Sequence, residues 1–395
     1  MTDQRFDFLR KKLDSLRQID SLRTLVPREH DGAVLIERDG RRLINFGSND
    51  YLGLASHQSK RPDLYATGDP YATGAGASAL VSGFTRLHER LCRELAELEQ
   101  TEAAVVFPSG YAACSGAVTT LAEEGDLLLS DSLNHASLID GCRLSSASRF
   151  VYPHRDVDAV RELLITHRHK HARVWIVTDG VFGMDGDVAP LESLCDLADS
   201  FDANVIVDEA HATGVLGDDG SGCCAELNVK SRVAIRIGTL SKAIGSHGGF
   251  VVGPQVVIDY LVNRCRALIF STAGSPMTIA AAIEALKIIR EEPERRQRVR
   301  TLASQFRSQL QDRFPGKLLV TTVDGVPIVP LIIGENGDTM RLASRLNEAG
   351  FFVPAIRPPT VPLGTARLRI SLTAGHQVTD IDQLASVLFK YLPEK

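Results

Sequence analysis

Between Thr101 and Gly253 the chain repeats one pattern, a short run of almost wholly apolar residues followed by a stretch with helical spacing. "AAVVF" precedes "SGYAACSGAVTTL", "DLLLSD" precedes "HASLIDGCRL", and "RVWIVTD" precedes "LESLCDLADSF"; "ANVIVDEA", "RVAIRIGTL" and "GGFVVG" follow. A strand with one wet face alternates apolar and polar residues, whereas unbroken apolar runs need cover on both faces. Helices packed on both sides of a mainly parallel sheet supply that cover, so the fold class is α/β.

Other segments follow different rules. Phe6, Leu9, Leu13, Leu16 and Ile19 recur at steps of three and four, one apolar stripe on a helix laid against the rest of the protein or a second subunit. "GAVLIERDGRRLINF" reads as two short strands around the turn at Asp39 and Gly40. After "SPMTIAAAIEALKIIREEPERR", a long helix with Pro276 near its start, come "TLASQFRSQLQDRF", strands "LVTTV" and "VPIVPLII", helix "DTMRLASRLNEAG", strands "FFVPAI" and "ARLRISL", and the helix "DIDQLASVLFKYL". With 395 residues the chain exceeds one comfortable core. The expected division is an N-terminal helix and short strands over 1–45, a large domain over 46–285 and a smaller α+β domain over 286–395.

Charge and cysteines narrow the function classes. A net charge of −5 gives no reason to expect nucleic acid or an anionic membrane as partner. The seven cysteines are odd in number and lack metal-ligand spacing, which points to a reducing, cytoplasmic setting. "MTDQRFDFLRKKLDSLRQID" has no apolar h-region, so no signal peptide is expected, and no apolar stretch is long enough to span a membrane.

In "NVIVDEAHATG" a strand delivers Asp208 to its carboxyl end, where open α/β sheets place ligands, and His211 follows on the turn. Such a pair serves acid–base chemistry, a metal, or a heteroaromatic cofactor; no third ligand stands at metal spacing, so no metal is expected. Asp208 also reads as a simple helix cap. Lys242 lies one strand later in "RIGTLSKAIGSHGG" among small residues. A partly desolvated lysine there acts as nucleophile or base. Together Asp208 and Lys242 are the two groups a pyridoxal phosphate site requires, an acid for the ring nitrogen and a Schiff-base lysine. "FPSGYAAC" offers a strand, Ser109 and Gly110, then a helix N-terminus suited to a phosphate. His135 occupies a strand-to-helix turn, as a ring-stacking group or a cap. "HRHKH", residues 167–171, reads as solvated loop, and "GAGAS", residues 74–78, as a place of close backbone approach to substrate.

"TLSKAIGSHGG", "VDEAHATG", "DSLNHASLIDG", "VTDGVFGMDGDVAPL" and "NFGSNDYLGL" together resemble the α-oxoamine synthases, fold-type I pyridoxal phosphate enzymes, over nearly the whole chain. The resemblance implies a large mainly parallel domain with a smaller α+β C-terminal domain, pyridoxal 5'-phosphate as cofactor, and a homodimer with a shared active site. The tail "FFVPAIRPPTVPLGTARLRISLTAGH" is similar to the branch that condenses L-alanine with a pimeloyl thioester, carried by coenzyme A or acyl carrier protein, in biotin synthesis. A glycine acetyltransferase or a synthase with another acyl donor is the near alternative. An aminotransferase or a catalytically dead interaction protein is the farther one.

Carried over by the resemblance, Lys242 binds the cofactor aldehyde, Asp208 holds the pyridinium N–H, His211 bonds the phenolic oxygen and His135 stacks on the ring. Ser109, Gly110, Tyr111 and Thr239 surround the phosphate, with Ser271 or Thr272 entering from a partner subunit. Arg369 binds the amino-acid carboxylate beside Asn49, while Arg23, Arg357 and Thr360 hold substrate, Arg23 at the acyl donor's end. Two positions depart from the family: Asp179 stands where Glu is common and Gly183 where Ser is common. The shorter Asp179 carboxylate predicts a weaker or water-mediated contact, and Gly183 removes a hydroxyl near the cofactor. "SHQSKRPDLYATGDPY" lacks the family's amphipathic helix, because Pro62, Gly68 and Pro70 would break it.

Overall fold

A computed structural model describes residues 4–31, 35–38, 40–57, 72–319 and 321–392. The expectation about "SHQSKRPDLYATGDPY" falls almost wholly on residues 58–71, outside the described ones. So does Asp39 of the first turn, although strands β2 (Leu35–Arg38) and β3 (Arg41–Asn45) pair antiparallel across it, with β1 (Glu29–Asp31) beside β2.

Among the described residues, seven strands form the central sheet: β4 (Ala103–Phe107), β5 (Leu127–Asp131), β6 (Ser148–Tyr152), β7 (Val174–Asp179), β8 (Asn204–Asp208), β9 (Ile235–Thr239) and β10 (Gly249–Gly253). Their order is β4-β10-β9-β8-β7-β5-β6, and only β10 runs against the others. The apolar runs are buried on both faces as the pattern requires. Val205 and Val207 of β8 join one core cluster while Ile206 between them joins the other, and β7 divides in the same way. β6 and the helix Val157–His167 carry weaker apolar runs and were not expected. His167 ends that helix and Arg168–Lys170 form a 3-10 turn, so "HRHKH" is a helix end rather than a plain loop.

The C-terminal part contains β11 (Ile328–Gly334), β12 (Phe351–Phe352), β13 (Ala355–Ile356) and β14 (Ala366–Ser371). Three corrections apply here. The long helix ends at Glu291, and Pro293 opens a new one through Arg313, since proline suits a first turn but not a helix interior. "LVTTV" forms no strand among its described residues; the Thr321 hydroxyl turns back onto Val323 instead. "FFVPAI" splits at Val353-Pro354, so that β12 pairs parallel with β3 and β13 pairs with β14. The first of these sheets ties the N-terminal segment to the C-terminal one. The N-terminal helix Asp7–Gln18 forms, yet none of its residues is buried, so its apolar stripe is left uncovered by the described residues.

Candidate active site

Parallel order places the carboxyl ends of β4, β5, β7, β8 and β9 on one side of the sheet, and the first candidate groups stand there. Asp208 and Asp179 end adjacent strands in direct register. Asp208 is 4% exposed; its Oδ1 accepts the Ala210 N–H at 2.8 Å and its Oδ2 the Cys114 thiol at 3.1 Å. Asp179 Oδ2 accepts the His135 N–H directly at 2.6 Å, so the shorter carboxylate reaches this partner without water. Burial, and then the Asp208 charge, push the Asp179 carboxyl well above the usual carboxylate range.

Lys242 follows β9 on a loop closed by the Leu240–Gly248 and Gly245–Lys242 backbone bonds. Its Nζ lies 2.8 Å from His211 Nε2. Burial, aided by the Arg369 charge, lowers its pKa against the opposing pull of Asp208 and Asp179. Burial drives the His211 imidazole well below its ordinary value, so the ring is neutral. His135 caps the helix Ala136–Leu144, with Nδ1 2.6 Å from Ser137 Oγ, and burial lowers its pKa too.

A close cradle lies beside these groups. The Ser109 hydroxyl caps the helix Gly110–Leu121 by accepting the Ala112 N–H at 3.1 Å. A Cβ on Gly110 would sit 3.0 Å from Thr239 Oγ1, and one on Gly249 would sit 2.5 Å from the Ser109 carbonyl. Glycine therefore lets the helix N-terminus and the end of β9 approach, and such a terminus suits a phosphate. With a largely buried lysine and a fixed carboxylate nearby, the residues present fit a phosphorylated heteroaromatic aldehyde. Tyr111 stands half-exposed in the first turn with its hydroxyl on Asp140.

Arg369 on β14 is 4% exposed and closes the site from the C-terminal part. It donates to the Gly183 carbonyl, to Asn49 Oδ1 at 3.0 Å, to Ser371 Oγ at 2.6 Å and to the Tyr51 hydroxyl at 3.4 Å. The remaining expected residues stand apart from this group. Arg23 donates to Thr360 Oγ1 at 3.2 Å, Arg357 donates to the Asp20 carbonyl, and both arginines line an open cleft of about 640 Å³ with Arg28, Arg41 and Phe352. Thr272 pairs with Ser78 and lines an apolar cleft of about 380 Å³ with Leu80, Phe84 and Pro108; among the described residues no hydrogen bond joins it to Lys242.

Sequence reasoning missed Tyr51, Cys114 and Asn134. Tyr51 sits inside the quoted "NDYLGL", and Cys114 lies one turn beyond Gly110, the only signals either gave. Asn134 bonds Asp179 N–H through Oδ1 and the Val177 carbonyl through Nδ2. Glu209, Cys223 and Cys224 bring three buried donor atoms within 4.8 Å, but both carboxylate oxygens accept the Cys223 and Cys224 N–H groups at 2.8 Å. That carboxylate caps a short helix.

Comparison with known proteins follows the same lines. The family model for aminotransferase class I and II matches residues 41–388. The 8-amino-7-oxononanoate synthase of Lysinibacillus sphaericus is 44% identical over 353 residues, 89% of each chain. The 8-amino-7-oxononanoate synthase 2 of Bacillus subtilis is 42% identical over 95% of each. Serine palmitoyltransferase from S. paucimobilis, solved with a bound PLP–myriocin aldimine, superposes with a TM-score of 0.88 at 26% identity, covering 98% of both chains. The chain belongs to the class I and II aminotransferase family, and within it to the α-oxoamine synthases.

Proposed function

We propose that this chain, with pyridoxal 5'-phosphate as cofactor, condenses L-alanine with a pimeloyl thioester to give 8-amino-7-oxononanoate, carbon dioxide and free thiol. The observation that carries the reading is the convergence of Lys242, Asp208, His211 and Arg369 on one buried space, in a chain 42–44% identical to synthases of that name. Bound pyridoxal phosphate supplies an electron sink for the charge left when a bond to the amino acid's α-carbon breaks.

The chain's own groups do the rest. Lys242 would hold the aldehyde, and its Nζ, when free, is the base that would take the proton from the amino acid's α-carbon. Asp208, oriented by the Ala210 N–H and the Cys114 thiol, keeps the ring nitrogen protonated. His211 would bond the phenolic oxygen and His135 would pack on the ring, while Ser109, Gly110, Tyr111 and Thr239 would hold the phosphate together with Thr272 of the partner subunit. Arg369 clamps the amino-acid carboxylate beside Asn49 as a planar fork. The open cleft with Arg23 and Arg357 takes the acyl donor, with Thr360 holding the Arg23 guanidinium. Exposed Leu80, Val81, Phe84 and Phe270 around the Thr272 cleft support a homodimer. No helix among the described residues is long and apolar enough to cross a membrane, which accords with a cytoplasmic enzyme.

A thiol-release assay over a panel of amino acids and acyl thioesters, on coenzyme A and on acyl carrier protein, tests the reading. L-alanine with a pimeloyl thioester should turn over fastest. Preference for glycine with an acetyl thioester overturns the assignment within the family.

A further inference from the structure

Tyr51 is fully buried, and its hydroxyl stands among three groups: His211 Nδ1 at 2.7 Å, Asn49 Oδ1 at 3.3 Å and Arg369 Nη2 at 3.4 Å. A phenol has one hydrogen to donate and a lone pair to accept with, whereas a guanidinium only donates. The Tyr51 oxygen therefore accepts from Arg369, and its hydrogen goes to one of the two acceptors. Asn49 Oδ1 is the farther of these and already takes the Arg369 Nη1–H at 3.0 Å. His211 Nδ1 is the better acceptor. A neutral imidazole that accepts at Nδ1 carries its own hydrogen on Nε2, which faces Lys242 Nζ at 2.8 Å. An ammonium there would set N–H against N–H, so the lysine accepts as a free amine. Every bond in the relay runs one way, from Arg369 through Tyr51 and His211 to Lys242.

Gly183 makes room for this arrangement. A Cβ at that position would fall 2.4 Å from His211 Nε2, and the Gly183 carbonyl takes the Arg369 Nε–H. We propose that Tyr51 is a positioning residue that fixes the His211 tautomer and so holds Lys242 as the free amine, with Gly183 permitting the ring's position. The other groups acting on Lys242 are the carboxylates of Asp208 and Asp179, the Arg369 guanidinium and the Cys114 thiol. The two carboxylates favour the ammonium, so the relay opposes them. The inference rests on the proposed use of Lys242 toward an aldehyde.

Tyr51→Phe keeps the buried ring and deletes only the hydroxyl. The His211 hydrogen then moves to Nδ1, and Nε2 becomes an acceptor for a lysine ammonium. The full chain, stripped of cofactor, is mixed with pyridoxal phosphate from pH 6 to 10. The Lys242 amine adds to the aldehyde carbon, water leaves, and the imine absorbance is followed against a Lys242→Ala blank. The variant should capture the aldehyde about tenfold more slowly at pH 7, a shift of one pH unit in the amine's titration, and match the parent by pH 10. Gly183→Ser, with Tyr51 intact, should show the same pH-dependent slowing. An unchanged rate at pH 7, or slowing by one factor at every pH, overturns the relay. Ring 15N shifts of His211 in the full chain give a reading that needs no aldehyde: Nε2–H in the parent and Nδ1–H in Tyr51→Phe. The same tautomer in both sinks the inference, while failure of the parent to capture the aldehyde sinks only the proposed function.

Discussion

Two clusters of carboxylates and cations sit close together on the carboxyl side of the central sheet, and they are wired in opposite ways. In one, His154 bridges Asp131 at 3.0 Å and Asp187 at 2.8 Å, Arg155 adds a second cation to Asp187, and Arg367 pairs with Asp185. In the other, Asp179, Asp208, Lys242 and Arg369 make no ion pair with one another, although all are buried or nearly so. Their partners are a thiol, backbone N–H groups, an imidazole and neutral oxygens. The consequences follow from electrostatics. In the paired cluster His154 is pushed up to about 9, the direction of a stabilised charge, although burial still raises the Asp185 carboxyl against the pull of Arg367. In the unpaired cluster Asp179 goes up while Lys242 and His211 go down, each toward its neutral form. Buried charges left without partners oppose folding, and active sites tolerate that opposition because the groups must meet a ligand.

The contrast breaks if removing a member of the unpaired cluster costs stability rather than turnover. Lys242→Ala has the largest expected effect: thiol release with L-alanine falls by at least about 10⁴-fold, because nucleophile and base are lost together. Its melting temperature should stay level or rise, since a desolvated amine has been removed. A large loss of stability would place Lys242 with the structural charges. Asp208→Asn comes next. It keeps the shape and the Ala210 contact but removes the negative charge, so kcat should fall on the order of 10²–10³-fold with little change in cofactor affinity. Near-normal turnover refutes the assigned role.

The two clusters also differ in how readable they were. Lys242 and Asp208 declared themselves because each ends an apolar run, and a parallel sheet sends all such ends to one side. Ser109, Gly110 and Thr239 were readable for the same reason. Tyr51 was hidden because its meaning depends on contacts 160 residues away at His211 and 318 away at Arg369, which no local pattern encodes. The His154 network was hidden likewise, its carboxylates coming from β5 and from the loop after β7. "LVTTV" misled through its β-branched residues, which favour strands only where a partner strand exists. "FFVPAI" misled because its proline lacks an N–H for a ladder; its carbonyl instead accepts the Arg369 N–H at 3.1 Å, which sets β14 against the site.

The paired cluster carries the smallest predicted effect, and its signature is a pH window. Burial alone would lower the His154 pKa, but hydrogen bonds and attraction from Asp131 and Asp187 outweigh it and raise the value to about 9. A group whose folded pKa lies above its unfolded one contributes stability that is fully present below the unfolded value, near 6.5, and lost as pH rises through about 9. His154→Gln removes the charge and keeps one amide donor. Denaturant titrations at pH 6 should show the variant less stable by about 2 kcal/mol, with the side chain's partial exposure holding the figure below the full shift. At pH 10 the two curves should nearly coincide, and turnover at pH 7 should fall less than twofold. A gap that stays constant from pH 6 to 10 would mean that His154 acts by packing, for instance through its edge-on contact with Phe182, ring centroids 4.4 Å apart, rather than by charge. A gap that closes while turnover holds would make it a structural counterpart to Lys242, a cation kept because its partners are already in place.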